Sequence, residues 1–440
     1  MRIFLCFIFI SLLPCNSFSQ EEEQSPLESL RETLLYGIES EILKAVKSIR
    51  ENQEERLNED LETLLTETVS VPVRSAVLNY FTKAKYRGAE ETALSLLEQT
   101  EVENSGLIIT LIKYLSEIKS DKAGEYLTEA IDEQNSNISL AAIKALGSSE
   151  SQENGQLLLD RLQDEDYSDN LKPELILALG ELAYKPALEE LTKITKNRDA
   201  ERVWRMYACD SLGKIGDNES IQVFKDIFSE GDALLTIYAA SALSNYAMSE
   251  VEDLLIEGLK NTNVRVRITA ARGLANKEAK KAVKVLIYKA RRDPEKKVRL
   301  QAIESLGQIG SNEAVDFLLE LFSDKKQSPD VLETALCTLV DNHLNSSLKT
   351  IKEVIDREWP GKDQKTIELI GKKLSQIEHN GLKDIFTKIL ESSNFIIRIY
   401  AIRGMENNRT AGYKEIIKSI SMEDPHPAVR KAALLLLEKS

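Results

Sequence analysis

Imidazole is the commonest metal ligand and general base, so the three histidines come first. His343, His379 and His426 fall in separate stretches, none four residues from another, the spacing that sets two ligands on one helix face. They read as surface residues. The sequence holds no phosphate-cradling glycine loop and no nucleophile elbow. Carboxylates are abundant, but choosing two for acid–base work is arbitrary. Cys209 and Cys337 are expected as free thiols, too far apart along the chain's stacked units to bridge. No catalytic residue, cofactor or metal is assigned. Two groupings remain. From Lys260 to Arg299, fourteen Lys and Arg meet only Glu278, Asp293 and Glu295, net +11 in a chain of net charge −15. Nine of the fourteen are expected to form a basic patch: Arg265, Arg267, Lys280, Lys281, Lys284, Arg291, Arg292, Lys296 and Lys297. Single-sign blocks of this kind orient partners, although an ordinary solvated face is the competing reading. The second grouping is Met206-Tyr207, Ile237-Tyr238 and Ile399-Tyr400, with Arg272 and Arg403 nearby in register. Tyrosine beside arginine is the composition of interface hot spots; packing between neighbouring helices is the alternative.

The elements that must position these residues follow from an internal repeat. A large apolar residue recurs at Phe81, Leu115, Leu146, Leu179, Leu212, Leu243, Leu274, Leu306, Leu339, Leu374, Met405 and Leu437, in steps of 31 to 35 residues. Four residues before it stands Ala142, Ala208, Ala239, Ala270, Ala302, Ala335, Ala401 or Ala433. Eight before it the residue is apolar in every unit but that of Thr366. Such i, i+4, i+8 spacing is one face of an α-helix. The small alanine lets a neighbouring helix come close. A second helical pattern lies between anchors, as at Glu313 to Phe322, and Gly213, Gly216, Gly307 and Gly310 are expected to mark the turn. Two helices in about 32 residues cannot bury both faces alone, so the units must stack. A worn earlier unit is expected over Leu30 to Ile49, with Ala45 in the alanine place.

This string resembles the short HEAT-like repeats first named from phycobilisome lyases, over roughly Ser25 to Ser440. The resemblance implies an all-α fold, a right-handed α-solenoid of about 12–13 HEAT-like helical hairpin repeats. That family has Asp six residues before an Arg, matched here by Asp199 and Arg205, Asp293 and Arg299, and Asp424 and Arg430, with Asn261 and Arg267 a variant. The resemblance implies that these residues form ladders between adjacent repeats. It also implies that the tyrosine side of the second helices lines a concave surface. Iron-dependent hydroxylases with HEAT-like repeats bind metal through His-Glu pairs, and this sequence has no His-Glu dipeptide.

Met1-Arg2 followed by the apolar Ile3 to Leu13 is expected to be a signal peptide over 1–19, cleaved before Gln20, since it is too short to span a bilayer. An acidic linker over 20–26 and the solenoid over 27–440 follow. Leu12-Leu13-Pro14-Cys15 loosely resembles a lipobox, so membrane contact is expected only with a lipid on Cys15. The acidic balance argues against nucleic acid. The chain thus reads as an exported, periplasmic or secreted scaffold for protein or peptide partners. The alternatives are an envelope protein using 260–299 on anionic lipid or polysaccharide, and a lyase-like accessory cradling a cofactor. The last helix, with Leu435 and Leu436 off its buried stripe, is expected to support end-to-end self-association.

Overall fold

The computed structural model describes residues 26–149, 151–276, 278–361, 364–409 and 412–439. The expected leader, with Cys6 and Cys15, and the linker up to Ser25 lie outside the described residues. Two compact units are present, divided between Ser149 and residue 150. The first holds α1 (Pro26–Tyr36), α2 (Glu39–Asn52), α3 (Asn58–Glu67), α4 (Val71–Ala84), α5 (Glu90–Gln99), α6 (Ser105–Glu117), α7 (Gly124–Ala130) and α8 (Ser136–Gly147). The second begins with α9 (Gln152–Gln163), α10 (Lys172–Glu181), α11 (Leu188–Lys196), α12 (Arg202–Ile215), α13 (Ser220–Glu230), α14 (Ala233–Ala242), α15 (Met248–Gly258) and α16 (Val264–Gly273). It continues with α17 (Ala282–Arg292), α18 (Lys296–Ile309), α19 (Asn312–Ser323), α20 (Pro329–Glu358), α21 (Lys365–Leu374), α22 (Lys383–Leu390), α23 (Phe395–Asn407), α24 (Tyr413–Glu423) and α25 (Pro427–Lys439).

Consecutive helices pair as antiparallel hairpins, and within each unit the second helix of one hairpin packs on the second helix of the next. The worn first unit is real: α1 and α2 form a hairpin, with Ala45 buried. The eight register alanines lie in the core. Ala142, Ala208, Ala239, Ala270, Ala302, Ala335, Ala401 and Ala433 all have 0% exposure. Around them sit residues such as Val298 and Leu306, whose burial contributes about 1.5–3 kcal/mol each. Second helices open on side-chain caps that satisfy their first N–H groups: Asp232 Oδ1 accepts from Leu234 and Leu235, and Asn263 Oδ1 from Arg265 and Val266.

The glycines divide differently from the sequence reading. Gly216 and Gly310 do end α12 and α18, in the left-handed region at φ 70° and 63°. Gly213 and Gly307 lie inside those helices instead. A Cβ at Gly213 would overlap Ala242, and one at Gly307 would overlap Thr338. They are contact points between stacked second helices. Hydroxyls fasten the same seam: Ser211 Oγ donates to the Ile176 carbonyl at 2.8 Å, and Ser305 Oγ to the Ala271 carbonyl at 2.7 Å.

The histidines are half-buried caps, a correction to their reading as plain surface residues. His343 kinks α20 with φ −141° and ψ 36°, so the two halves of α20 belong to different hairpins. Its Nε2 donates to the Gly307 carbonyl at 2.7 Å. His379 Nδ1 accepts from the Gly381 amide, and His426 stacks on Phe395 with ring centres 3.8 Å apart. Cys209 and Cys337 are free. In the last helix Leu435 is exposed, whereas Leu436 packs into a cluster with Ile402, Ile417, Val429 and Ala433.

Candidate binding surface

The tyrosine register lies on the second helices, each tyrosine directly before a buried register alanine. Tyr207 on α12 and Tyr238 on α14 are half-buried neighbours on consecutive second helices. Burial pushes the Tyr238 phenol up, and nearby Tyr207 and Asp210 add to the shift. Met206 and Ile237, half-buried beside them, supply aliphatic surface. Asp210 pairs with Lys214 at 2.8 Å, and Lys214 reaches Glu181 of α10 at 2.7 Å. This charge bridge spans two hairpins beside the aromatic pair. Tyr400 does not join it. It stands on α23, five second helices beyond α14, and its Cβ lies against Gly371 of α21. Thr269, Gln301, Thr334 and Leu369 fill the register between. Arg272 is exposed and donates to Gln301 at 3.4 Å, and Arg403 is exposed next to Tyr400 on α23. The stripe is therefore one tyrosine pair and one distant tyrosine.

The arginines at the start of the second helices do link adjacent hairpins, by a different pairing from the one spacing suggested. Arg267 Nε and Nη2 each meet Asp293 at 3.0 Å, and its Nη1 donates to the carbonyls of Asn261 and Thr262. Arg398 clasps Asp424 at 2.8 Å through both nitrogens and binds the Ser392 and Ser393 carbonyls. Arg205 holds Glu230 at 2.7 and 3.0 Å and the Thr195 carbonyl at 2.8 Å. Each guanidinium thus grips carbonyls at the end of its own hairpin's first helix or in the loop after it, and the carboxylate ending the next hairpin's first helix. The partner lies 25 or 26 residues on. The six-residue pairs act through the main chain: Arg299 donates to the Asp293 carbonyl at 2.8 Å and Arg430 to the Asp424 carbonyl at 2.6 Å. Asp293 therefore binds Arg267 by its carboxylate and Arg299 by its carbonyl, a continuous ladder. Asp199 is not a rung. The loop before Arg205 is longer, and Asn197 occupies the turn that Asp293 makes, accepting a main-chain N–H two residues on. Glu230 and Arg398, which the six-residue rule missed, are rungs. Counting 26 residues forward from each arginine would have found Arg398 with Asp424.

The Arg267 and Arg398 pairs are buried on both sides. Arg205, Arg267 and Arg398 are buried, as are Asp293 and Asp424. Burial works against ionisation of Asp293, but Arg267, the Glu295 amide and Lys289 outweigh it and hold the carboxyl below its ordinary range. Asp424 is lowered in the same way, against burial, by Arg398 and the His426 amide.

A family model described as "Spirochaete HEAT repeat protein" matches residues 34–436. The chain belongs to that family. No curated protein matches it. Among solved structures it is similar to YIBA of Escherichia coli, at 18% identity over 59% of this chain and 95% of that one, with TM-score 0.40. It is also similar to Kap95p, solved with RanGDP, at 12% identity over 93% of this chain and 60% of that one, with TM-score 0.47. A third likeness is Kap121p bound to Pho4p, at 13% identity over 93% and 52%, with TM-score 0.44.

In this HEAT repeat protein several cations of the 260–299 stretch are already paired. Arg267 is buried in its clamp, a correction to its place among surface cations. Lys281 pairs with Asp253, Arg291 with Glu320 and Lys296 with Asp330, each at 3.0 Å or less and each across to a neighbouring hairpin. Arg265, Lys280, Lys284, Arg292 and Lys297 remain exposed. Packing brings in carboxylates from flanking hairpins, which a count along the chain cannot register. Among the described residues no group of three His, Cys, Asp or Glu is placed to hold a metal ion.

Proposed function

We propose that this HEAT repeat protein is a scaffold that binds a protein or peptide on the face of its second helices, centred on Tyr207 and Tyr238. The observation that carries the reading is the pairing of two half-buried tyrosines on consecutive hairpins, with Met206 and Ile237 beside them and the Asp210–Lys214–Glu181 bridge at their edge. An amphipathic aromatic pair with a charged rim suits a peptide that lies across hairpins. The scaffold acts outside the cytoplasm, a reading that rests on the apolar leader of residues 1–19. N-terminal sequencing of the native protein would return Gln20 on this proposal, and a retained Met1 would remove export from it.

The binding test uses the mature chain as bait in envelope extract, with bound proteins identified by mass spectrometry. The pair Tyr207→Ala plus Tyr238→Ala should lose a partner that the unaltered chain retains, while circular dichroism stays helical. An unchanged set of captured proteins would move the site elsewhere. Loss of helicity would show that the tyrosines serve packing.

A further inference from the structure

We propose that Arg74 is a half-buried, unfilled carboxylate clamp that takes a single acidic side chain, flanked by apolar residues, from a partner protein. Arg74 follows Val73 as Arg205, Arg267 and Arg398 follow Trp204, Val266 and Ile397. In those three hairpins the guanidinium meets a carboxylate at 2.7 to 3.0 Å, supplied by Glu230, Asp293 or Asp424. The matching position after Arg74 is Thr100, which caps the end of α5 as Asp293 caps α17 and Asp424 caps α24. Thr100 has no carboxylate, and its hydroxyl donates back to the Leu96 carbonyl. The Arg74 Nε is buried and has no hydrogen-bond partner. A buried donor left unmet is unfavourable until something fills it. A guanidinium fork is shaped for the two oxygens of a carboxylate.

The surroundings state what kind of carboxylate. Arg74 stands just after the loop between α3 and α4. On this loop, its predecessor and its successor lie Val69, Ile38 and Val102, and Leu35 and Tyr36 end α1 just before; together they are five of the nine large apolar side chains exposed among the described residues. Ser70 donates to Glu39 at 2.6 Å, tying the first two loops together. The corresponding loops of the second unit carry polar turn residues such as Asn261, Asp293, Ser392 and Asp424. Glu39, Glu67, Glu101 and Glu103 are exposed around the apolar edge. They repel a run of acids, so the occupant carries one carboxylate between apolar neighbours.

The test uses the full mature chain, nitrogen-15 labelled, with the Arg74 side-chain N–H signal assigned by its disappearance in Arg74→Gln. The probes are blocked pentapeptides: Val-Leu-Asp-Leu-Val, the same peptide with Asn at its centre, and Glu-Glu-Asp-Glu-Glu. The first should move the Arg74 signal saturably, with the other two at least about tenfold weaker. Thr100→Asp should close the clamp from within, abolish that response and raise Tm by roughly 2 °C or more. Circular dichroism of both variants checks folding. Equal response to the Asp and Asn peptides, or none to either, would overturn the proposal. So would a Thr100→Asp chain that binds as before at an unchanged Tm.

Discussion

Arg267 and Arg74 occupy the same place in their hairpins and live in different surroundings. Arg267 is buried against Asp293, with every nitrogen of its fork bonded. Arg74 has the fork without the carboxylate, because Thr100 stands where Asp would. One repeat architecture therefore supports two uses of the same arginine. Where the next hairpin supplies a carboxylate, the residue fixes how hairpins stack. Where it does not, a cation is left at an edge that exposes apolar side chains.

The comparison can be broken most severely at a filled clamp. Arg267→Ala should cost about 3 kcal/mol, because buried Asp293 loses its bidentate partner and keeps only Lys289 and the Glu295 amide. Loss of hydrogen-exchange protection in α16, α17 and α18 would report it, and a cost under about 1 kcal/mol would show the clamp to be incidental. Next in size is acid sensitivity. The folded carboxyls of Asp293 and Asp424 lie below the unfolded value of about 3.9. Their stabilisation is complete above that value and drains away as pH falls through the folded pKa. Urea midpoints of Asp293→Asn plus Asp424→Asn should fall well short of the parent at neutral pH and converge on it toward pH 2. A constant gap at all pH would place the effect outside ionisation.

A smaller loss is expected at Arg299, which binds only the loop carbonyls of Asp293 and Pro294. Arg299→Ala should cost about 1 kcal/mol in urea unfolding. A loss as large as that of Arg267→Ala would mean that the loop bonds, rather than the carboxylate, carry the clamp. The smallest change is expected at Arg74→Ala, within about 0.5 kcal/mol of the parent, since no partner is orphaned. A loss near 3 kcal/mol there would show that the clamp is filled in solution.

Much of this was legible in the residues. The alanine register named eight fully buried positions, because a small side chain where helices pack closely shows up as a period. The apolar spacing likewise placed the hairpins, including the worn one at Ala45. The tyrosine register was visible too, but its grouping was not: Tyr207 and Tyr238 stand on neighbouring second helices, and Tyr400 is five second helices away.

Local pattern, then, determined the helices, their pairing and the repeat, since each depends on side chains within about one turn or one hairpin of each other. Tertiary structure alone decided which charges meet. A spacing of six residues picked out Asp293 and Arg299, which touch only through a carbonyl. The carboxylate belongs to Arg267, 26 residues away and brought close by stacking. The same stacking set Asp253, Glu320 and Asp330 against a stretch that counts as +11 along the chain. Electrostatic partners depend on distance through space, and in a stack of hairpins the nearest charge lies on the next hairpin.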